Sequence, residues 1–429
     1  MREILKKIIV AILTFEARLV LFKYKPKVVA VTGNVGKTST KDAIYSVMSS
    51  RFFVRKSEKS FNSEIGIPLT IIGCQNGWSN PFIWIKNIIE GFLLIVLKNH
   101  YPAWLILEVG ADRPGDIKSI SRWLKPDIVV VTRVPDVPVH VEYFNDKDHL
   151  LEEKRSLVYA LKSGGTLILN ADDINTAKFE EETQNSTITY SMMENGAINA
   201  SRDEVRYKRG IPVGLTYRVD YGGSSAPVKI EGSVGRQQIY STLGAVAVGV
   251  ALNMDLVSIG KSLELHATPP GRMRILKGIK KTLIIDDSYN SSPVALTEAL
   301  LALKRLETTG RKIAVLGDMM EIGVHTAEEH KKAGKQVAET ADILLTVGMR
   351  SRHIAEGAQN NGMSEKNIFQ YDDSERAGKE LELLLKEGDM ILVKGSQSPR
   401  LEKTVLEVMK HPERREELLV RQDAEWMNR

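Results

Sequence analysis

The chain has 429 residues, 43% of them apolar, and a net charge of +5 from 59 basic and 54 acidic side chains. That length exceeds one hydrophobic core and calls for two or three domains; so diluted a charge argues against nucleic acid and leaves small acidic substrates open. The single cysteine, Cys74, excludes an internal disulfide and a cysteine metal cluster, suits a reducing cytoplasm and reads as a small core residue.

The first element is a helix within residues 1–26. Ile4, Leu5, Ile8, Ile9, Ile12, Phe15, Leu19 and Val20 recur at helical spacing, with Lys6, Lys7, Arg18, Lys23, Lys25 and Lys27 around them. Its uncharged run, Ile8 to Phe15, is too short to span a bilayer, and no small-residue cleavage site follows. Two readings stand: a helix docked on the protein's own core, or a membrane-surface helix held by acidic lipid. A second apolar region, Ile65 to Ile85, carries Pro68, Gly73, Asn76, Gly77 and Pro81, breakers that exclude a membrane helix.

Between them, Val28 to Val31 is an apolar strand that breaks into TGNVGKTST, residues 32–40, followed by a helix from Ser39 to about Ser50. Gly33 and Gly36 let the backbone curl so that successive N–H groups, those of Asn34 and Val35 among them, face an anion. Lys37 supplies a point charge for the β- and γ-phosphates, and the Thr38 hydroxyl suits Mg²⁺. The helix opening at Ser39 adds its positive end, so residues 28–50 read as an ATP site. The strict G-x-x-x-x-G-K-[ST] pattern asks for glycine at position 31 and meets Val31.

Leu105 to Val109, Ile128 to Thr132 and Thr166 to Asn170 are short buried strands alternating with helical stretches, a parallel α/β pattern. Glu108 falls at the carboxyl end of its strand, the edge where open parallel sheets bind ligands; it can hold a metal ion or cap a helix. His140 follows the next strand toward the same edge, where a structural histidine is the commoner case, and Lys154 in EEKRSLV has the look of a solvated helix lysine. Residues 186–232 alternate like antiparallel strands, for example Leu215 to Val219 and Val228 to Glu231, and Gln237 to Met254 is a buried helix.

Pro269, Pro270 and Gly271 mark a domain boundary. Beyond it, strands at Thr282 to Asp286, Lys312 to Leu316, Ile343 to Val347 and Met390 to Val393 restart the alternation. The polar loops DDSYNSSP, GDMMEIG and VKGSQSPR each follow one of them and converge on one sheet edge. Leu406 to Arg429 is charge-rich and expected to fray at its end. The predicted architecture is α/β: an amphipathic helix (1–26), a central P-loop ATPase domain with a mainly parallel sheet and antiparallel decoration (27–268), and a Rossmann-like C-terminal α/β domain (269–429).

In chain order, TGNVGKTST, FNSEIGIPLT, LEVGADRPGDI, His140, NADD, PPGRM, DDSYNSSP, GDMMEIG with TAEEH, and VKGS resemble the Mur ligase family, from about Lys27 to about residue 410. The resemblance implies an ADP-forming amide ligase of cell-wall precursor synthesis that uses ATP and Mg²⁺. A donor-peptide carboxylate becomes an acyl phosphate, and an amine of the D-alanyl-D-alanine kind attacks it. The resemblance makes Lys37, Glu108, His140 and Lys154 catalytic, with Thr38, Glu108 and His140 holding metal. Lys154 matches a lysine that is carbamylated in several members. It places Gly33, Asn34, Val35, Gly36, Lys37, Thr38, Ser39, Gln238, Arg272 and Asp287 around ATP, and Asn62, Asn290 and Lys394 on substrate.

Two departures stand out. Gln238 and Ser241 occupy positions where the family usually has asparagines near the adenine, and only about 26 residues precede the central domain, where the family has a domain gripping a UDP-sugar. The donor is then held by the central domain, gripped with the help of another chain, or of a different kind, such as a lipid-linked precursor or a poly-amino-acid. A scaffold without catalysis is disfavoured by the retained Lys37, Glu108 and His140. A cytoplasmic monomer whose C-terminal domain closes over the site is expected, with peripheral membrane contact through residues 1–25 as the second reading of the first helix.

Overall fold

Consecutive apolar positions in Val28–Val31, Leu105–Leu107 and Ile128–Val131 leave no polar face, so each run needs cover on both sides. In the computed structural model, which describes residues 2–58, 61–138, 141–144 and 146–427, these runs are neighbouring strands of a nine-stranded sheet. The chain runs α1 (Arg2–Tyr24), β1 (Lys27–Thr32), α2 (Lys37–Met48), β2 (Val54–Lys56), α3 (Gly66–Ile72), α4 (Pro81–Val96), β3 (Trp104–Glu108) and α5 (Asp116–Ser121). It continues through β4 (Ile128–Val131), α6 (Lys147–Tyr159), β5 (Thr166–Asn170), α7 (Ile174–Ala177) and β6 (Ser186–Ser191). The order β2-β3-β1-β4-β5-β6 is parallel throughout.

Alternation within the strands sorts the two cores. Val29, Val31 and Ile106 face α2 and a helix further along the chain, whereas Val28, Ala30, Leu105 and Leu107 face α1, α3, α5 and α6. The expected antiparallel decoration is β7 (Ile198–Lys208), β8 (Ile211–Tyr221) and β9 (Ser224–Glu231), while β6, read with it, extends the parallel sheet. Then α8 (Gln237–Ala251) and α9 (Leu256–Glu264) close the unit.

The second sheet has six strands in the order β10-β11-β15-β12-β13-β14. It starts with β10 (Arg274–Lys277), antiparallel to β11 (Leu283–Asp287), and continues with α10 (Pro293–Arg305), β12 (Lys312–Gly317) and α11 (Thr326–Ala338). β13 (Ile343–Val347), α12 (Arg352–Asn360), β14 (Ile368–Tyr371), α13 (Ser374–Leu384), β15 (Met390–Lys394) and α14 (Glu402–Val408) complete it.

Three segments carry detail that the sequence reading left open. α1 is docked on the body through Leu13, Ala17 and Val20, all fully buried; burial of Leu13 and Val20 contributes about 1.5–3 kcal/mol each. Past the punctuated run, α4 forms a helix that was not foreseen. The Asn80 side chain caps it by accepting from the Phe82 N–H at 2.9 Å, with Pro81 in its first turn. No helix among the described residues is long and apolar enough to cross a membrane. The C-terminal stretch, expected to fray only at its end, is anchored at Arg421, whose buried guanidinium donates to Glu402 at 3.0 Å and to the Ser288 carbonyl at 3.3 Å.

Candidate active site

β1 delivers the chain to the carboxyl edge of the first sheet, where it must leave the sheet and start α2 within four residues. Gly33 turns at φ 133°, and a side chain there would run into the Thr132 hydroxyl; Gly36 precedes α2 at φ 87°. Both positions demand glycine. The helix starts at Lys37 rather than Ser39, and no side chain caps it, so its first N–H groups, which have no acceptor within the helix, suit an anion. Two N–H groups expected to face phosphate are committed elsewhere: Asn34 and Val35 donate to the Arg133 carbonyl at 2.7 and 3.2 Å. The strand that neighbours the loop thus sets its shape.

The Lys37 ammonium bends back over the loop, donating to the carbonyls of Gly33 at 2.9 Å and Asn34 at 3.4 Å. Burial lowers its pKa, with Glu108 and Asp112 opposing and Arg272 adding to the effect. Glu108, 1% exposed at the end of β3, accepts from the Asn62 amide at 3.3 Å through one oxygen, and its other oxygen has no hydrogen-bond partner among the described residues. A buried carboxylate oxygen without a donor is costly unless a cation meets it, so the position fits a metal. The described residues contain no group of three or more His, Cys, Asp or Glu that could hold one. Mg²⁺ needs no such cage, since it keeps waters and phosphate oxygens beside one or two carboxylates. His140, the further expected ligand, lies outside the described residues.

Lys154 departs most from its sequence reading. It is 1% exposed, not solvated, and burial pushes its pKa down to about 7, helped by repulsion from Lys37 and opposed by Glu153, Asp112 and Asp116. Its neighbour Glu153 aims α6 at the site by capping α5. One oxygen accepts from the Gly115 N–H at 2.5 Å, the other from those of Ile117 and Lys118 at 3.0 and 3.2 Å. An amine half neutral near pH 7 is a nucleophile as well as a cation.

A cleft opens beside the loop, between the start of α2, α8 and the loop after β11; Asn34, Val35, Gly36, Ser39, Gln238, Arg272, Asp287, Asn290 and Lys394 line it. Lys37, Glu108, Lys154 and Asn62 do not, and form a charged cluster joined to the cleft through the loop. The Gln238 side-chain amide donates to the Arg272 carbonyl at 3.0 Å, tying α8 to the connection between the sheets, and its amide oxygen is buried without a partner among the described residues. Ser241 stands beside Gly36. Arg272 stacks over Tyr289 at 4.1 Å, and Arg421 covers the same ring at 5.3 Å.

Asp287 and Lys394, read as ATP and substrate contacts, hold each other at 2.6 Å, both buried. Asp287 also accepts from the Met273 N–H at 3.0 Å, and Lys394 donates to the Asn290 carbonyl at 2.9 Å. In this geometry they position the loop. Lys394→Met strands a buried carboxylate and is expected to cost about 3–5 kcal/mol of stability in urea unfolding; a loss within error would mean that Asp287 is solvated.

Sequence reading passed over Asp112, Arg133 and Arg421 as site residues. Arg133 faces Glu298 of α10 at 3.6 Å across the cleft. His330, from TAEEH, accepts from the Met319 N–H at 3.0 Å and so holds the GDMMEIG loop.

The Mur ligase middle domain model matches residues 92–249, and the model described as Mur ligase, glutamate ligase domain matches residues 271–397. The UDP-N-acetylmuramoyl-tripeptide--D-alanyl-D-alanine ligase of Bacillus subtilis (strain 168) is 26% identical over 390 residues, covering 90% of this chain and 76% of that protein. The structure of MurF ligase from Thermotoga maritima in complex with ADP matches with a TM-score of 0.75 at 25% identity, covering 95% of this chain and 84% of that one. A pseudomurein peptide ligase type C from Methanothermus fervidus shares the fold at a TM-score of 0.61 and 20% identity, over 90% of this chain and 80% of that one.

Proposed function

The chain belongs to the Mur ligase family, and from that premise we propose that it is an ATP-dependent, ADP-forming ligase joining D-alanyl-D-alanine to the peptide carboxylate of a UDP-N-acetylmuramoyl tripeptide. The observation that carries the reading is the pairing of an uncapped helix start and Lys37 with Glu108, one buried carboxylate oxygen of which has no partner among the described residues. Such a set suits a polyphosphate and its metal ion rather than a neutral ligand.

The donor carboxylate oxygen attacks the γ-phosphorus and ADP leaves. The amine nitrogen then attacks the acyl carbon, loses a proton, and the C–O bond to phosphate breaks. Negative charge develops on phosphoryl oxygens in the first step and on the carbonyl oxygen in the second. Glu108 and Thr38 would hold Mg²⁺, which would supply neutralisation of the charge that develops on the phosphoryl group. The start of α2 binds the phosphates, Lys37 swings from the loop carbonyls to the γ-phosphate, and Gln238 and Arg272 orient the nucleoside side. Lys154, carried over as the carbamylated lysine, takes up CO₂ through its neutral amine and releases a proton. The resulting carboxylate replaces repulsion from Lys37 with attraction. The enzyme works as a cytoplasmic monomer.

The test is phosphate release from ATP and Mg²⁺ with D-alanyl-D-alanine and UDP-N-acetylmuramoyl tripeptide, each omitted in turn. Release that requires every component supports the assignment. Release with a lipid-linked donor or another amine but not with this pair retains the ligase and replaces its substrates.

A further inference from the structure

Many of the exposed large apolar side chains among the described residues belong to α1 and α4, neither of which lines the cleft. The two helices run side by side in parallel. A side chain at Gly91 would run into the Glu16 carboxylate, and Lys23 caps the carboxyl end of α4 by donating to the carbonyls of Leu94 at 3.1 Å, Ile95 at 2.8 Å and Leu97. With its opposite face buried, α1 turns Ile4, Ile8, Ile12, Phe15 and Phe22 outward, and α4 turns out Phe82, Ile85, Ile89, Phe92 and Val96, all at helical spacing. Phe22 and Phe82 are each 78% exposed. Isolated exposed apolar residues need no explanation, but two adjacent stripes mark a contact surface.

Charge selects the occupant. Among the described side chains, α1 and α4 carry Lys6, Lys7, Arg18, Lys23 and Lys86 against Glu16 and Glu90, and Glu16 is buried at 6% exposure. Burial raises its pKa to about 7, which further reduces negative charge beneath the ridge. Phe15 and Phe22 also line a groove with Arg18, Lys25, Arg122 and Lys125, and no acidic side chain lines it. Lys162, the remaining cation there, is paired with Asp127 at 2.9 Å. Apolar stripes bordered by cations, on helices that cannot span, are the makeup of an interfacial anchor.

We propose that the α1–α4 ridge docks on a bilayer rich in anionic phospholipid, with Phe15, Phe22, Phe82 and Phe92 at the headgroup boundary and Arg18, Lys25, Arg122 and Lys125 on lipid phosphates. This docking is independent of the ligase substrates. It is tested with the full chain by co-sedimentation with phosphatidylcholine vesicles, with and without phosphatidylglycerol, at low and high salt. Salt-sensitive binding to the anionic vesicles is expected, weakened about tenfold or more by Arg122→Glu/Lys125→Glu and likewise by Phe82→Ser/Phe92→Ser, with ATP turnover in solution unchanged. Should the serine variant fail to fold, the charge-reversal variant carries the test. Absence of vesicle binding, equal binding to neutral vesicles, or a self-associated species in sedimentation velocity that Phe82→Ser/Phe92→Ser dissociates would overturn it, the last assigning the ridge to a second copy.

Discussion

Replacing Lys37 by alanine is expected to lower kcat/KM for ATP-dependent phosphate release by about 10²–10³-fold, the usual cost of removing one preorganised group from developing charge. The loss should fall largely on kcat, because the start of α2 still binds the phosphates while the γ-phosphate loses its cation. The fold should survive: the side chain's two bonds are to carbonyls of its own loop, and alanine removes a cation whose burial already disfavours the charged form. Lys37→Arg is not expected to rescue, since a planar fork does not replace a compact ammonium in a tight loop. A melting temperature near that of the wild type with less than about tenfold loss of turnover would sink the phosphate-holding role, because no other single group is assigned that task.

Lys154→Met is expected to separate stability from activity. In CO₂-free buffer, where the amine stays unmodified, the wild type at pH 7 and below keeps a fully buried side chain whose charged form is disfavoured by burial and by Lys37. Methionine removes that penalty and should stabilise the folded chain by about 1–3 kcal/mol. The sign of the pH dependence follows. The folded-state pKa of about 7 lies below the ordinary 10.5, so between these values the unfolded chain holds a proton that the folded chain has shed, and the wild type gains stability as pH rises through that window. The advantage of methionine, largest at pH 6, should therefore shrink toward pH 10, as read by chemical unfolding at several pH values. Turnover should fall by about 10²–10³-fold, and bicarbonate-free buffer should slow the wild type while leaving the variant unaffected. A variant less stable than wild type at pH 6 would mean that Lys154 is held there by a favourable charge interaction.

Local sequence alone determined the strands that carry the site and the loop that follows β1. A parallel strand buried on both faces is written in consecutive residues, as in Val28–Val31, and a turn that needs positive φ is written as Gly33 and Gly36. Glu108 was legible for the same reason: a charge at the end of an apolar run falls at the carboxyl edge of the sheet. The resemblance from about Lys27 to about residue 410 then joined these into a ligase. Tertiary structure decided what each polar group faces. Lys154 sits in a charged segment that reads as a solvated helix, yet the surrounding packing leaves it 1% exposed. Asn62 meets Glu108 from 46 residues away, and Lys394 meets Asp287 from 107. Arg421, in a charge-rich tail expected to fray at its end, reaches back 133 residues to the Ser288 carbonyl. The division has one physical cause. Backbone conformation and strand burial follow from neighbours in sequence, whereas pairing and desolvation depend on which distant surfaces the fold brings together, and these set the charge that a lysine such as Lys154 carries.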